Sequence, residues 1–408
     1  TTVSIVITVN NLTHCESVIT DANNLYSGYL KAVNTSKWKP STQHFMFDYL
    51  TELFSIQDDL RNRTLVNGPT QEFELHERGK IRPITSLTVR DRVIRHTLCD
   101  CVLMPEIRKR IIYDNCASLK DRGIGLQRKR FEIHLHKYYE SYGNDGYILF
   151  GDFSKFYDNI IHEIAKEDLA GLVNHDPFVE WLLDIIFAGF EIDVSYMDDA
   201  EFECCMGAVF NKLAYREVPK ELLTGERFMP KSVNMGDQIS QAVGVYYPNQ
   251  IDSYVKTVCG VKFYGRYCDD FYVMSPSKEY LEFLLKAITA IAEERGIHMN
   301  GKKTRIVKIS STYKYLQMKY SLTRDGRVIK RINPKRVTTM RRKLKKLAVK
   351  VEQGKMPYEN VENMFKGWMG NYYKCLSRQQ REGIVGLYET LFHKKVHVKN
   401  KKLIIMSV

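Results

Sequence analysis

Residues 262–274 read KFYGRYCDDFYVM, two aromatic and apolar runs separated by Cys268-Asp269-Asp270. Phe263, Tyr264 and Tyr267 precede the acidic pair, and Phe271, Tyr272 and Val273 follow it. The pattern predicts two short strands joined by a tight acidic turn. Two carboxylates held at such a tip repel each other and lose hydration unless a cation neutralises them. The order Tyr-x-Asp-Asp also occurs at 196–199 within SYMDDAEF (195–202), and a third Asp pair stands at Asp58-Asp59. Asp58-Asp59 falls in the polar end of a helical run. Asp198-Asp199 is followed by Ala-Glu-Phe-Glu, acidic and alternating like a half-exposed strand, so a solvated turn accounts for it.

A third carboxylate has a setting like that of Asp269-Asp270. Asp152 ends the apolar strand YILFG and precedes FSKFYDNI, more than a hundred residues upstream. The two places can meet only if their strands lie side by side in one sheet. That arrangement makes a divalent metal site. Two Mg²⁺ ions roughly 3.5–4 Å apart on Asp carboxylates activate a 3′-hydroxyl and stabilise leaving pyrophosphate in nucleotidyl transfer. The alternative is that Asp152 caps a helix N-terminus and does no chemistry.

A chain of 408 residues fits two or three packed regions, and 44% hydrophobic residues supply a core. The formal charge of +13 favours a polyanionic partner. No apolar run approaches the roughly 18 residues of a spanning helix, which argues against a membrane. The opening TTVSIVITVN is short and lacks a basic leader, so it reads as a strand or packed arm. Nine scattered cysteines without a C-x-x-C pair fit neither a disulfide scaffold nor a common zinc site, and predict a reducing cytosol.

Residues 1–70 read as a mostly helical extension. QEFELHERGKIRP (71–83) alternates up to Arg78-Gly79-Lys80 and resumes, predicting a β-hairpin with a basic tip. In TVRDRVIRHTLCDCVLMPEI (88–107), Val93, Leu98, Val102 and Leu103 give a helix one apolar face. From 147 to 331 strands and helices mix, with KEYLEFLLKAITAIAEERG an amphipathic helix ended by Gly296. From 332 to 408 the chain turns helical and basic. Val337, Met340, Leu344, Leu347 and Val351 form one apolar stripe, while Arg336, Arg341, Arg342, Lys343, Lys345, Lys346 and Lys350 fill the remaining surface.

The pieces stand in an order that resembles bacterial group II intron-like reverse transcriptases. GDFSKFYDNI is similar to motif A of that family, NMGDQISQAVGVYY to motif B, YGRYCDDFYVM to motif C and GIHMNGKKTRI to motif D. Upstream, HERGKIRPITSLTVRDRVIRHTL resembles the fingers, where a basic hairpin precedes a T-x-R-D-R helix. The likeness covers roughly 71–330. It implies an α+β, right-hand polymerase of fingers, palm and thumb, with fingers and palm at 71–331 and a helical basic thumb at 332–408. In this family the Tyr-x-Asp-Asp hairpin follows motif B, so the resemblance selects 267–270 and makes 196–199 a decoy.

The resemblance also implies roles. Asp152, the Phe153 carbonyl, Asp269 and Asp270 would hold two Mg²⁺ ions. Tyr157 matches an aromatic steric gate against the ribose 2′-OH, and core packing is its bland alternative. Lys80 and Arg82 match fingers residues that grip the triphosphate. Lys303 matches the motif D lysine, with Lys302 competing. Met235, Gly236 and Gln238 would line the dNTP pocket, and Ser240 and Gln241 would start the supporting helix. Arg336, Arg341, Arg342, Lys345 and Lys346 could track the phosphates of an RNA–DNA heteroduplex. FKGWMGNYYK supplies aromatics, among which Trp368 reads as core.

Two departures refine the likeness. Motif B begins Asn234-Met235-Gly236 instead of Pro-Gln-Gly and continues to Ser-Gln, a form that looks more like diversity-generating retroelement enzymes and their relatives. YKYLQMKY lacks the usual Phe-Leu-Gly of motif E. The compact form with this motif B resembles the stand-alone, defence-associated "unknown group" enzymes of bacteria. That implies an RNA-directed DNA polymerase in the bacterial cytoplasm that copies a structured non-coding RNA. The other readings are a diversity-generating retroelement enzyme and an intron maturase that binds RNA. Template, primer and oligomeric state are not legible.

Overall fold

A computed structural model describes residues 13–77, 80–399 and 402–407. The opening TTVSIVITVN and the hairpin tip Arg78-Gly79 lie outside the described residues, as does the side chain of Lys80. In chain order, the first elements are α1 (His14–Ile19), α2 (Ala22–Asn34), α3 (Pro40–Phe47), α4 (Tyr49–Asn62), β1 (Gln71–Glu77), β2 (Lys80–Ser86), α5 (Val89–Leu98), α6 (Met104–Arg110) and α7 (Ile124–Tyr142). Then come β3 (Tyr147–Ser154), α8 (His162–Ala170), α9 (Pro177–Ala188), β4 (Ile192–Asp193), α10 (Asp199–Gly207), β5 (Phe228–Met229), α11 (Gln238–Tyr246), α12 (Asn249–Ser253), β6 (Tyr264–Tyr267), β7 (Asp270–Ser275) and α13 (Lys278–Glu294). The last are β8 (His298–Met299), β9 (Arg305–Lys308), β10 (Thr312–Tyr315), β11 (Met318–Leu322), β12 (Val328–Ile332), α14 (Pro334–Glu352), α15 (Tyr358–Tyr372), α16 (Arg378–Phe392), β13 (Lys394–Lys399) and β14 (Lys402–Ser407).

The described chain falls into two compact units. One takes the residues up to Gln127 with Leu149–Val273 and Glu279–Ile306; the other takes Arg128–Ile148, Met274–Lys278 and the residues from Val307 onward. Local chemistry places the helix starts of the first unit. Asp21 accepts from Asn23 N–H and Asn24 N–H, and Thr88 accepts from Asp91 N–H, each satisfying donors a helix N-terminus leaves unpaired. Beyond α5 the helix does not stop but widens into a π turn over Cys99–Leu103 before α6. Val93, Ile94 and Leu98 on α5 and Val102 and Leu103 in the π turn are all buried.

The sheet that carries the acidic residues runs β6-β7-β3-β8, with β9 also pairing β3. Strands β6 and β7 are antiparallel, and Tyr267 faces Asp270 across the two-residue turn Cys268-Asp269. Cys268 takes the left-handed conformation at φ 57°. Strand β3 lies beside β7, so Asp152 sits inside a strand rather than at a helix cap. Close approach depends on Gly151, where a Cβ would lie 2.1 Å from the Phe271 ring.

A fully buried guanidinium underpins the acidic turn. Arg266 donates to both oxygens of Asp252, at 2.8 and 2.7 Å, to the Val245 carbonyl at 2.8 Å and to the Cys268 carbonyl at 3.0 Å. Tyr264 Oη donates to the same Asp252 at 2.6 Å. The Asp252 charge holds the Arg266 guanidinium well above its ordinary range, against the opposing effect of burial.

In the second unit, β10, β11 and β12 form an antiparallel meander. Its tight turn has Leu316 and Gln317 at φ 41° and 72°, and Arg128 donates to the Leu316 carbonyl at 3.0 and 2.7 Å. Phe131 packs on Tyr315 and Tyr320 at centroid distances of 4.7 and 5.0 Å. In α14 the expected stripe buries Val337, Met340 and Leu344, and Ala348 joins them; Leu347 and Val351 are only half-buried. Trp368 is not core: it is half-buried against Tyr372, whereas Phe365 and Met369 point inward. The tail is not helical throughout, because β13 and β14 form an antiparallel hairpin after α16.

Removing one member of a buried ion pair leaves an uncompensated charge, which typically costs about 3–5 kcal/mol. Asp252→Asn is therefore expected to lower the denaturant midpoint by that amount of stability. Glu382→Gln, which breaks the exposed Arg378–Glu382 pair, is expected to leave the melt unchanged.

Candidate active site

The end of β3 and the β6–β7 turn bring Asp152, Asp269 and Asp270 together. Burial pushes the Asp270 carboxyl up to about 7, helped by the charges of Asp269 and Asp152 and by a hydrogen bond shared with Asp152. Asp269 is also raised, by burial first and then by Asp152, while Lys303 and Arg82 pull it back. Three acidic groups so placed need positive charge. Lys303 supplies it: its Nζ lies 2.6 Å from each Asp152 oxygen, and Asn300 Nδ2 donates to Oδ2 at 3.1 Å. Lys302 is exposed and has its N–H on Asn300 Oδ1 at 3.2 Å.

Tyr157 stands beside the acidic turn with its hydroxyl 3.6 Å from Cys268 Sγ. Burial raises the Tyr157 phenol above its ordinary value, and the Cys268 thiol is pushed up to about 12, also by burial first. The ring fits because α11 carries Gly244, where a Cβ would lie 2.6 Å from the Tyr157 hydroxyl. Arg82 is exposed on β2, its guanidinium 3.8 Å from Met235 Sδ. Gly236 and Gln238 line a cavity of about 310 Å³ together with Phe73, Ile84, Arg92 and Arg95. Helix α11 begins at Gln238 with Asp237 as its cap, two residues before the expected start at Ser240.

On α14, Arg341, Arg342, Lys345 and Lys346 are exposed. Arg336 is engaged within its own unit, donating to Tyr372 Oη and Gln317 Oε1 and lying over the Tyr372 ring. The second Tyr-x-Asp-Asp has a structural task, and it begins a helix instead of a strand or turn. Asp198 caps α10 by accepting Glu201 N–H at 2.8 Å, and Asp199 pairs with Arg227. Met197 is buried in a small cluster with Val194, Phe210 and Met229.

Sequence reading missed Asn300, Gly244, the Arg266–Asp252 pair and the Arg95–Asp237 pair. Asp237 did carry a signal, an Asp just before an apolar-periodic run. Arg95 carried none, since Asp237 lies 142 residues away, and Arg266 carried none because Asp252, 14 residues before it, belongs to a different element.

The oxygen donors around Asp152 suit a hard divalent cation. Among the described residues no three His, Cys, Asp or Glu side chains are already disposed around one point for an ion. The ammonium of Lys303 meets the need on Asp152, while Asp269 and Asp270 are raised by burial first and by the neighbouring carboxylates second. These residues fit a divalent metal. Asp152, the Phe153 carbonyl, Asp269 and Asp270 are the groups that would hold it.

Comparison with known proteins gives the class. The family model described as reverse transcriptase (RNA-dependent DNA polymerase) matches residues 69–320. The chain belongs to the reverse transcriptase family, and these residues are its RNA-directed DNA polymerase domain, with the mixed helices and antiparallel strands of the right-hand polymerase fold. Enzymes of this family generally use divalent metal ions and deoxynucleotides. A structure of telomerase from Candida albicans in complex with a TWJ fragment of telomeric RNA is similar over 68% of this chain, at 13% identity and a TM-score of 0.41. The chain spans 48% of that telomerase chain. No curated protein matches. Among the described residues no helix is long and apolar enough to cross a membrane.

Asp270 gives the site a pH signature. Its pKa is raised from 3.8 to about 7 in the folded chain, so the folded state holds the proton more tightly than the unfolded one. That stabilisation is complete below the unfolded pKa and is lost as pH rises through the folded value, with Asp269, Asp152 and Lys303 the charges facing it. In EDTA, wild-type stability is therefore expected to fall relative to Asp270→Asn between pH 4 and 8. Asp168, pushed to about 6 by burial, contributes in both proteins and cancels. Mg²⁺ is expected to raise the wild-type Tm more at pH 8 than at pH 5. Parallel Tm curves for the two proteins would remove the charge crowding from the account.

Proposed function

We propose that the protein synthesises DNA on an RNA template from dNTPs with two Mg²⁺ ions, in a site built on Asp152, Asp269 and Asp270. The observation that carries this reading is the convergence of three carboxylates, from β3 and the β6–β7 turn, beside Lys303. Bound metal would supply Lewis-acid activation of a primer 3′-hydroxyl and charge neutralisation at the leaving pyrophosphate. Asp152 and Asp269 orient the reacting groups, and Asp270 supports them. Lys303 can exchange Asp152 for the negative charge that develops on the triphosphate. Arg82, with Lys80, grips the triphosphate from the fingers hairpin, and Met235, Gly236 and Gln238 line the nucleotide pocket. The Tyr157 ring, braced against α11 at Gly244, excludes the ribose 2′-OH.

In this reading residues 1–70 form an N-terminal helical extension, 71–331 the fingers and palm, and 332–408 the thumb. The exposed cations of α14 contact RNA–DNA heteroduplex phosphates. Arg336 contributes less than Arg341, Arg342, Lys345 and Lys346, because it is tied to Tyr372 and Gln317. The Ser-Gln form of motif B supports a role among bacterial defence enzymes that copy a structured non-coding RNA in the cytoplasm.

Primer extension on RNA with Mg²⁺ tests the chemistry. Asp269→Ala is expected to reduce synthesis to background and Asp198→Ala to leave it nearly intact; equal loss in both folded variants would contradict the assignment. Tyr157→Ala is expected to raise ribonucleotide use relative to deoxynucleotide by about tenfold or more. For the biological role, the protein is purified from its host and the bound nucleic acid sequenced. One abundant structured RNA with cDNA copied from it supports the defence reading, and intron RNA or RNA without cDNA opposes it.

A further inference from the structure

The loop leading into α11 is fastened at both ends by buried polar pairs. At its start, Lys212 Nζ donates to Asn234 Oδ1 at 2.6 Å, and Asn234 Nδ2 donates to the Gly189 carbonyl at 3.4 Å. At its end, Asp237 performs two tasks. One carboxylate oxygen accepts Ile239 N–H at 3.0 Å and caps the helix; the other accepts from the Arg95 guanidinium. The Arg95 and Asp237 side chains are 3% and 0% exposed. Arg95 belongs to α5, where it also donates to Asn67 Oδ1 at 3.2 Å and lies 5.4 Å over the Phe190 ring. Only Met235 and Gly236 lie between the two anchors.

Capping alone does not call for an arginine, since a serine or asparagine satisfies the same N–H groups. Nor is a dry ion pair an efficient source of stability, because desolvation offsets most of its attraction. What such a pair does well is fix geometry, since each partner is committed to one position. Here it ties a helix behind the β1–β2 hairpin to the first turn of α11. Gly236 and Gln238 flank Asp237, and Gly244 on the same helix makes room for Tyr157. A tilt of α11 would move all three.

We infer that the Arg95–Asp237 ion pair is a positioning device that fixes the Met235–Gln238 wall of the nucleotide pocket against α5 and thereby sets the affinity for the incoming deoxynucleotide. The inference rests on the functional reading above. Arg95 and Asp237 also line the cavity beside Gly236 and Gln238, but their side chains are buried and spent on each other, on Ile239 N–H and on Asn67, so both act through the loop and helix they hold.

Steady-state dNTP incorporation on an RNA template with a DNA primer separates positioning from a merely structural role. Asp237→Ser keeps a capping oxygen and loses the ion pair. It is expected to raise KM for dNTP about tenfold, with kcat within about threefold and KM for primer–template unchanged. The double variant Arg95→Gln, Asp237→Asn restores a neutral hydrogen-bonded pair and is expected to bring KM for dNTP back to within about threefold of wild type. If Asp237→Ser does not fold, Arg95→Leu with Asp237→Ser, capped but unlinked and free of buried charge, must show the raised KM. A folded, unlinked variant with wild-type KM for dNTP overturns the inference while leaving the functional reading intact. A wild-type protein that incorporates no nucleotide sinks the functional reading itself, and this inference with it.

Discussion

Negative charge confined to the end of one small sheet governs the rest of the architecture. Burial, reinforced by the neighbouring Asp269 and Asp152 charges, leaves Asp270 holding its proton up to about pH 7, and buried acidic groups so placed survive folding only if the surrounding framework enforces it. Two features do so. Gly151 lets the Phe271 ring lie directly on β3, and the buried Arg266 guanidinium grips the Cys268 carbonyl from beneath the turn. The acidic tip is thus fixed by a cation that never reaches the site, while a second cation, Lys303, sits on Asp152 itself. The two have different consequences. Arg266 is fully buried and committed to Asp252, whereas the Lys303 side chain is 48% exposed and can leave.

The same logic of distant anchoring recurs around α11. Its cap, Asp237, is held by Arg95 from α5, and its Gly244 accommodates Tyr157 from the segment after β3. One short helix therefore links two separated stretches of chain, held by Arg95 at its start and packed against Tyr157 at Gly244. The segment between α9 and α11 contributes through Lys212, which reaches Asn234, and through Lys231. The Lys231 ammonium is wholly buried and donates to the Ala208 carbonyl at 3.0 Å. Burial lowers Lys231 to about 8, the cost of desolvating an ammonium whose partners are the Ala208 and Met206 carbonyls and Asn159 Oδ1.

Much of this was legible in the sequence because the signals were local. Aromatic runs around Asp269-Asp270 gave the hairpin, alternation in 71–83 gave β1 and β2, and the 3-4 spacing from Val337 gave α14. The order of motifs separated Tyr267-Cys268-Asp269-Asp270 from its counterpart at 196–199. The acidic flank of that counterpart suggested a strand or turn, yet Asp198 caps a helix; capping and turn formation draw on the same short acidic side chains. Partnerships across the chain were not legible. Nothing near Arg266 names Asp252, nothing near Arg95 names Asp237, and the isolated glycine of α11 acquires meaning only when Tyr157 is placed against it. Trp368 shows the reverse error: a large aromatic in a helix was read as core, but the stripe that packs inward runs through Phe365 and Met369.

In the proposed function these carboxylates hold divalent metal and Lys303 is a displaceable placeholder on Asp152. The most direct test of that function is a crystal structure of the protein with Mg²⁺ and a non-hydrolysable dNTP analogue. Metal density is expected between the Asp152 and Asp269 carboxylates, with the Lys303 ammonium moved off Asp152 onto the triphosphate. Lys303 still on Asp152 with nucleotide bound, or metal held at Asp198-Asp199, would contradict that function.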